Sequence, residues 1–143
     1  MRAIISCILL AATVGLPALA EDLGPFNKWC YENDSPDQKI QACSAVIGAR
    51  VVDRTDLATA FRNRANAYQD KGHLELAIED YDRSIELNPL AANSFNGRGT
   101  AHRAKGQFDL AIRDYDQAIG LSPDNAMVLS NRCFAKAVYG QLE

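Results

Sequence analysis

Few residues in this chain can do chemistry on their own account. Of its 143 residues two are His, four are Cys and one is Trp. It contains no H-E-x-x-H, no C-x-x-C, no G-x-x-x-x-G-K and no G-x-S-x-G. Those absences argue against a helix-borne zinc hydrolase, a thiol redox pair, a phosphate-cradling loop and a nucleophile elbow. His73 and His102 stand well apart with no Cys/His cluster, so neither a metal site nor a cofactor is expected. Basic excess is missing too: 15 Lys and Arg face 18 Asp and Glu, a net charge of −3. A mildly acidic chain is a poor candidate for nucleic acid, and no basic run suggests an anionic membrane surface. Catalysis is not expected; binding and structural roles remain.

Long hydrophobic runs are also scarce. The one that stands out, Ala3–Val14, follows Arg2 and leads into Gly15, Pro17 and Ala18-Leu19-Ala20. That is the layout of a secretory signal with a small-residue cleavage site. Residues 1–20 are therefore expected to be a signal peptide, with a mature chain from Glu21 that is periplasmic or secreted and not inserted in a membrane. A membrane anchor is the alternative, but the run is short for a bilayer and no basic stop-transfer flank follows. Cys7 lies mid-run, unlike the lipid-carrying Cys of a lipoprotein. In an oxidising compartment Cys30 and Cys43 are expected to bridge. Closing a loop of that size is worth about 3 kcal/mol in the chain-entropy model. The alternative is two small apolar residues packed apart. Cys133 is expected to be a buried packing residue.

What the chain has in abundance is repetition. Residues 58–91 and 92–125 coincide at fifteen positions when slid by 34, among them Phe61/Phe95, Arg64/Arg98, Gly72/Gly106, Asp80/Asp114, Tyr81/Tyr115, Asp82/Asp116 and Pro89/Pro123. Average composition would give about two. Inside each copy the apolar residues fall at three- and four-residue steps, as in Phe61, Ala65 and Tyr68, and again in Leu74, Ala77, Ile78, Tyr81 and Ile85. Lys71-Gly72-His73 breaks the two stripes and Pro89 ends the second. Each copy is thus a helix, a turn and a second helix.

The order Phe61-x2-Arg64-Ala65-x2-Tyr68, Ala77-x3-Tyr81, Pro89, and its second version Phe95-x2-Arg98-Gly99-x2-His102, Ala111-x3-Tyr115, Pro123, resembles the tetratricopeptide repeat. Arg64 and Arg98 stand where that family usually has Leu, and His102 where it has Tyr. The resemblance implies an all-α, right-handed solenoid of antiparallel helix pairs; together with the leader-like start, the chain is expected to be an exported bacterial protein of that kind. The expected divisions are residues 21–57 as a lead-in with a degenerate repeat helix, 58–91 and 92–125 as full repeats, and 126–143 as a partial repeat or capping helix. The lead-in Glu21–Trp29 reads as extended, Gly48 as the end of the first helix, and Thr55 or Asp56 as an N-cap. Leu129-x2-Arg132-Cys133 starts a third copy, which could be a cap or the beginning of a longer array.

In such arrays the first helices line a concave groove that receives a peptide or helix of a partner. Carried over, the peptide-binding set is Arg62, Asn63 and Asn66 from the first copy and Asn93, Asn96, Thr100 and Arg103 from the second. Asn can donate to and accept from a peptide backbone, and Arg can fork onto a carboxylate. The clamp by which some members hold a partner's C-terminal carboxylate is incomplete here, with Gly97 and Met127 at two of its places. Arg64, Arg98 and Arg132 recur in register with Asp80/Asp114 and Asp82/Asp116, which predicts structural ion pairs. The expected role is a non-catalytic scaffold or adaptor for a protein or peptide partner in the cell envelope. The alternatives are a subunit that self-associates at its C-terminal edge, as a homo-oligomer or on another chain, or a fragment of a longer protein with another activity.

Overall fold

The computed structural model describes residues 24–49 and 52–140. The expected signal peptide, Glu21–Leu23 and the segment after Gly140 lie outside them. Among the described residues seven helices follow one another: α1 Gly24–Glu32, α2 Pro36–Gly48, α3 Arg54–Asp70, α4 Leu74–Leu87, α5 Ala92–Ala104, α6 Phe108–Leu121 and α7 Ala126–Tyr139. Each packs chiefly on its neighbours in sequence, giving a solenoid of the helix pairs α1/α2, α3/α4 and α5/α6, with α7 on α6.

The turn inside each full repeat is set by glycine. Gly72 and Gly106 have φ of 76° and 74°, a conformation that strains a residue with a Cβ. The peptide N–H groups around them close the first helix, His73 N donating to the Tyr68 carbonyl and Gln107 N to that of His102, both at 2.9 Å. The helices α4 and α6 stop two residues before Pro89 and Pro123, as proline's steric demand on its predecessor requires.

Two sequence expectations are corrected among the N-terminal helices. The lead-in is helical from Gly24, not extended, because Pro25 falls in the first helical turn, where a missing N–H costs nothing. Pro36 plays the same part in α2. That helix ends at Gly48, as expected, and Ala49 follows in an extended conformation. The helix α3 starts earlier than expected: Asp53 is its N-cap, accepting from the N–H groups of Thr55 and Asp56 at 2.7 and 2.9 Å. The extra turn carries Arg54 to the end of α4, where its guanidinium donates to the carbonyls of Leu87 and Glu86 at 2.8 and 3.0 Å.

The core is a row of small clusters, one per unit. Cys30, Ala42, Cys43, Val46 and Ala60 form the first, Ala65, Ala77, Tyr81 and Ala101 the second, and Ala111, Tyr115, Ala118, Val128 and Ala135 the third. Alanine dominates because close helix approach leaves little room between axes, and one tyrosine per full repeat fills what is left. Tyr81 and Tyr115 are the eighth residues of α4 and α6. Cys43 is the eighth of α2, and there the Cys30 sulfur takes the volume, at bonding distance with Cα atoms 4.7 Å apart. Cys133 is exposed, contrary to expectation. In the full repeats the second helix brings Tyr81 into the cluster of Ala65 and Tyr115 onto Gly99. No described helix follows α7 to do the same.

Candidate functional site

The arginines that recur in the sequence brace the wall behind the site. Arg64 forks onto Asp80, Nε to Oδ2 at 2.7 Å and Nη2 to Oδ1 at 2.8 Å, and its Nη1 reaches the Ser44 hydroxyl at 3.0 Å. Arg98 forks onto Asp114 at 2.9 and 2.6 Å, and its Nη1 donates to Asp82 at 2.6 Å. Arg132 donates through Nη1 to Asp116 at 2.9 Å. Arg64 and Arg98 thus spend one edge on their own repeat, and all three arginines spend Nη1 on the preceding unit. Asp80 and Asp114 are buried, so the fork supplies hydrogen bonds that water does not reach them to give. The hydrogen bonds that Arg98 donates to Asp114 and Asp82 raise its pKa, so it stays charged throughout.

On the other side of the first helices lies an open cavity of about 390 Å³. It gathers Arg62, Asn63 and Asn66 of α3 with Asn93, Asn96 and Thr100 of α5, six of the seven residues proposed from sequence; Gln69, Gly97 and Met127 complete the rim. Arg103, the seventh, is not part of this lining. Its guanidinium lies 5.3 Å from the ring of Phe134 on α7, and its Nε is buried without a hydrogen-bond partner.

Several of these polar groups already serve the fold. Asn63 Nδ2 donates to the Cys30 carbonyl at 3.2 Å and so ties α3 to α1. Arg62 donates to Asn63 Oδ1 at 3.3 Å. Thr100 donates to the Asn96 carbonyl and accepts from the Tyr115 hydroxyl. Asn131 Nδ2 donates to Asn96 Oδ1 at 3.2 Å. Asn93 and Asn66 are exposed, and a ligand backbone can reach them.

Sequence reasoning missed the floor. Tyr81 is buried on α4, yet its hydroxyl reaches the cavity between α3 and α5 and donates to Asn66 Oδ1 at 2.6 Å. Burial pushes its pKa well above the ordinary phenol value, so it remains a donor. The signal was Gly97, the one residue that fits over this ring: a Cβ there would lie 2.5 Å from two ring carbons. Gly97→Ala should therefore destabilise by about 1–2 kcal/mol in urea unfolding, overpacking outweighing the gain in helix propensity. Gly120, in α6, supplies the contrast, because a methyl group added there would meet nothing within 4 Å. Gly120→Ala should stabilise by roughly 0.5–1 kcal/mol.

A larger cavity of about 540 Å³ opens elsewhere, lined by Ile78, Leu110, His102, Arg113 and the Arg98–Asp114 pair. The Arg98, Asp82 and Asp114 charges in its wall are paired with one another, which leaves them less free for a ligand than the amides of the groove. Among the described residues there is no cluster of three His, Cys, Asp or Glu side chains that could hold a metal, and no helix long and apolar enough to cross a membrane.

Residues 62–126 match the family described as Tetratricopeptide repeat. No curated protein matches the sequence significantly. Among solved structures, the crystal structure of MamA is 23% identical with a TM-score of 0.73, over 87% of this chain and 70% of that one. The second TPR domain of human RPAP3, in complex with the HSP70 peptide SGPTIEEVD, is 23% identical with a TM-score of 0.69, over 80% and 92%. The TPR domain of Arabidopsis OM64 is 17% identical with a TM-score of 0.71, over 80% and 92%. These likenesses show the fold, an all-α solenoid of tetratricopeptide type.

Proposed function

We propose that this chain is a scaffold or adaptor of the bacterial cell envelope that holds an extended segment of a partner protein in its polar groove. The observation that carries the reading is the convergence of six polar side chains from α3 and α5 on one open cavity. Solved domains of this fold hold peptides, as the human RPAP3 domain holds SGPTIEEVD. Here Arg62 supplies a cation and Asn66, Asn93 and Asn96 supply amides, a set suited to a strand with free backbone groups and an acidic or amide side chain. Gly97 and Met127 stand where a carboxylate clamp would need polar groups, so the groove reads the strand rather than its C-terminus.

The test is a photo-crosslinking residue at Asn96, irradiated in native envelope extract. A discrete adduct that is lost on Arg62→Ala with Asn93→Ala supports the groove. Adducts only between copies of the chain would favour self-association through the C-terminal edge, the reading suggested by exposed Met127, Leu129 and Phe134 on α7. No adduct from a folded monomer would sink the groove reading.

Export rests on the leader-like residues 1–20 and fits the pairing of Cys30 with Cys43. If the bridge forms in the exported protein, Cys43→Ala should cost about 2–3 kcal/mol against the oxidised chain, and reductant should produce the same loss in the parent protein. A parent protein whose unfolding midpoint ignores reductant would contradict it.

A further inference from the structure

We propose that the groove, given the peptide-holding role on which this inference rests, takes a proline-bearing acidic segment. The segment is held by its carbonyl oxygens and a carboxylate rather than by its N–H groups. The protons of the lining decide this. The Tyr81 hydroxyl shares its proton between Asn66 Oδ1 at 2.6 Å and Gln69 Oε1 at 3.3 Å. Burial keeps that proton on the phenol, and the nearby Asp70 charge acts in the same direction. Asn96 Oδ1 accepts from Asn131 Nδ2 at 3.2 Å, and Asn63 Oδ1 accepts from Arg62 Nη2 at 3.3 Å. The amide oxygens of Asn63, Asn66, Gln69 and Asn96 are thus all turned to donors of the protein itself. Thr100 has no proton left either, since it donates to the Asn96 carbonyl.

What remains free is of one kind. An amide that turns its oxygen to the floor or wall leaves its NH2 group for a ligand, as Asn66, Gln69 and Asn96 do. Arg62 spends one bond on Asn63 and keeps the rest of its guanidinium. No Asp or Glu is found among the described residues that line the cavity, and Arg62 is the charged side chain there. Asn93, at the rim, keeps both ends of its amide free among the described residues. The ligand must therefore bring acceptors. A β-strand brings them badly, because each residue turns its N–H and C=O to the same edge, and the N–H would face another donor. Polyproline II backbone brings them well: its carbonyls need no partner within the segment, and proline has no N–H. The guanidinium of Arg62 calls for a carboxylate beside that backbone. A glutamine in the same place would set its own NH2 against donors, and a lysine would set charge against like charge.

The probe is a displayed library of random peptides, selected on the folded protein and again on its Tyr81→Phe variant. Groove binders are those lost on Arg62→Ala with Asn93→Ala. They should be enriched in Pro and in Asp or Glu. In synthetic copies, N-methylation of the central backbone nitrogens should change affinity by less than about twofold, because no N–H is used. Replacing the peptide's Glu by Gln should weaken binding about tenfold, the equivalent of one charge-assisted hydrogen bond. Tyr81→Phe frees the Asn66 oxygen and keeps the ring, so binders selected on that variant should lose the enrichment in Pro. Groove binders that take Gln as well as Glu, or that lose about tenfold on N-methylation, overturn the proposal and leave the groove reading standing. So does an enrichment in Pro that survives Tyr81→Phe. If no selected peptide depends on Arg62 and Asn93, the groove reading itself fails and this inference falls with it.

Discussion

Arg98→Ala should destabilise the chain by roughly 3–5 kcal/mol, more than any other arginine replacement in it. The side chain holds two carboxylates from two units at once, Asp114 through a two-bond fork and Asp82 through the remaining nitrogen. Asp114 is 5% exposed. Removing the guanidinium leaves that carboxylate with little water and no strong cation, the costly half of breaking a buried pair. The arginine itself is 23% exposed, so the lower part of the range is the better expectation. Arg64→Ala should cost less, since only one carboxylate is stranded. Arg132→Ala should fall within about 1 kcal/mol, because Asp116 is half in water. Urea unfolding checks the order through the midpoints. Arg98→Leu combined with Asp114→Ala should recover much of the loss, because apolar packing replaces a buried pair well and leaves no charge stranded.

The period of the repeat makes this bracing legible in the sequence alone. Residues that recur every 34 positions share one environment, so three arginines and two pairs of aspartates in register had to meet or be wasted. The helix pairs, the glycine turns and the proline stops are legible for the same reason. The first unit is not. Gly24, Pro25 and Asn27 read as a loop by composition, yet proline is well placed at the start of a helix, and nothing local in the sequence shows that a helix starts there. Asp53 is easily passed over as a cap because Thr55 and Asp56 stand closer to Ala58, where the repeat begins, while Arg54 lengthens α3 and reaches the end of α4. Cys133 reads by its register as buried, but register describes the residue's own helix and not what packs over it.

The candidate site is legible in outline, because groove positions follow from helical spacing. Its floor is not, since Tyr81 comes from a second helix and only Gly97 opposite reveals where the ring goes. Arg103 shares the face but is drawn to Phe134, a contact between units that spacing within one helix does not show.

Tyr81→Ala should have the other large effect, roughly 3–5 kcal/mol. The ring is 1% exposed and fills the second core cluster with Ala65, Ala77 and Ala101. Alanines make poor neighbours for a cavity: they have no side-chain freedom with which to collapse into it. Tyr81→Phe separates the two parts played by the residue. It keeps the packing and loses the bond to Asn66, so it should cost about 1 kcal/mol. In Tyr81→Phe the Asn66 amide is released from the floor, and affinity for a groove ligand should change while the fold persists. Thermal unfolding of the two variants side by side checks the ratio; equal losses would mean that the hydroxyl, and not the ring, dominates.

The most direct test of the central claim is a selection from a displayed library of extended peptides against the folded protein, followed by titration of the selected peptides against two variants. Arg62→Ala with Asn93→Ala removes groove anchors, and Arg113→Ala with Gln117→Ala alters the larger cavity. A groove that holds a peptide predicts at least about a tenfold loss of affinity in the first variant, two lost hydrogen bonds, and none in the second. The opposite pattern, or selected peptides indifferent to both variants, would contradict it.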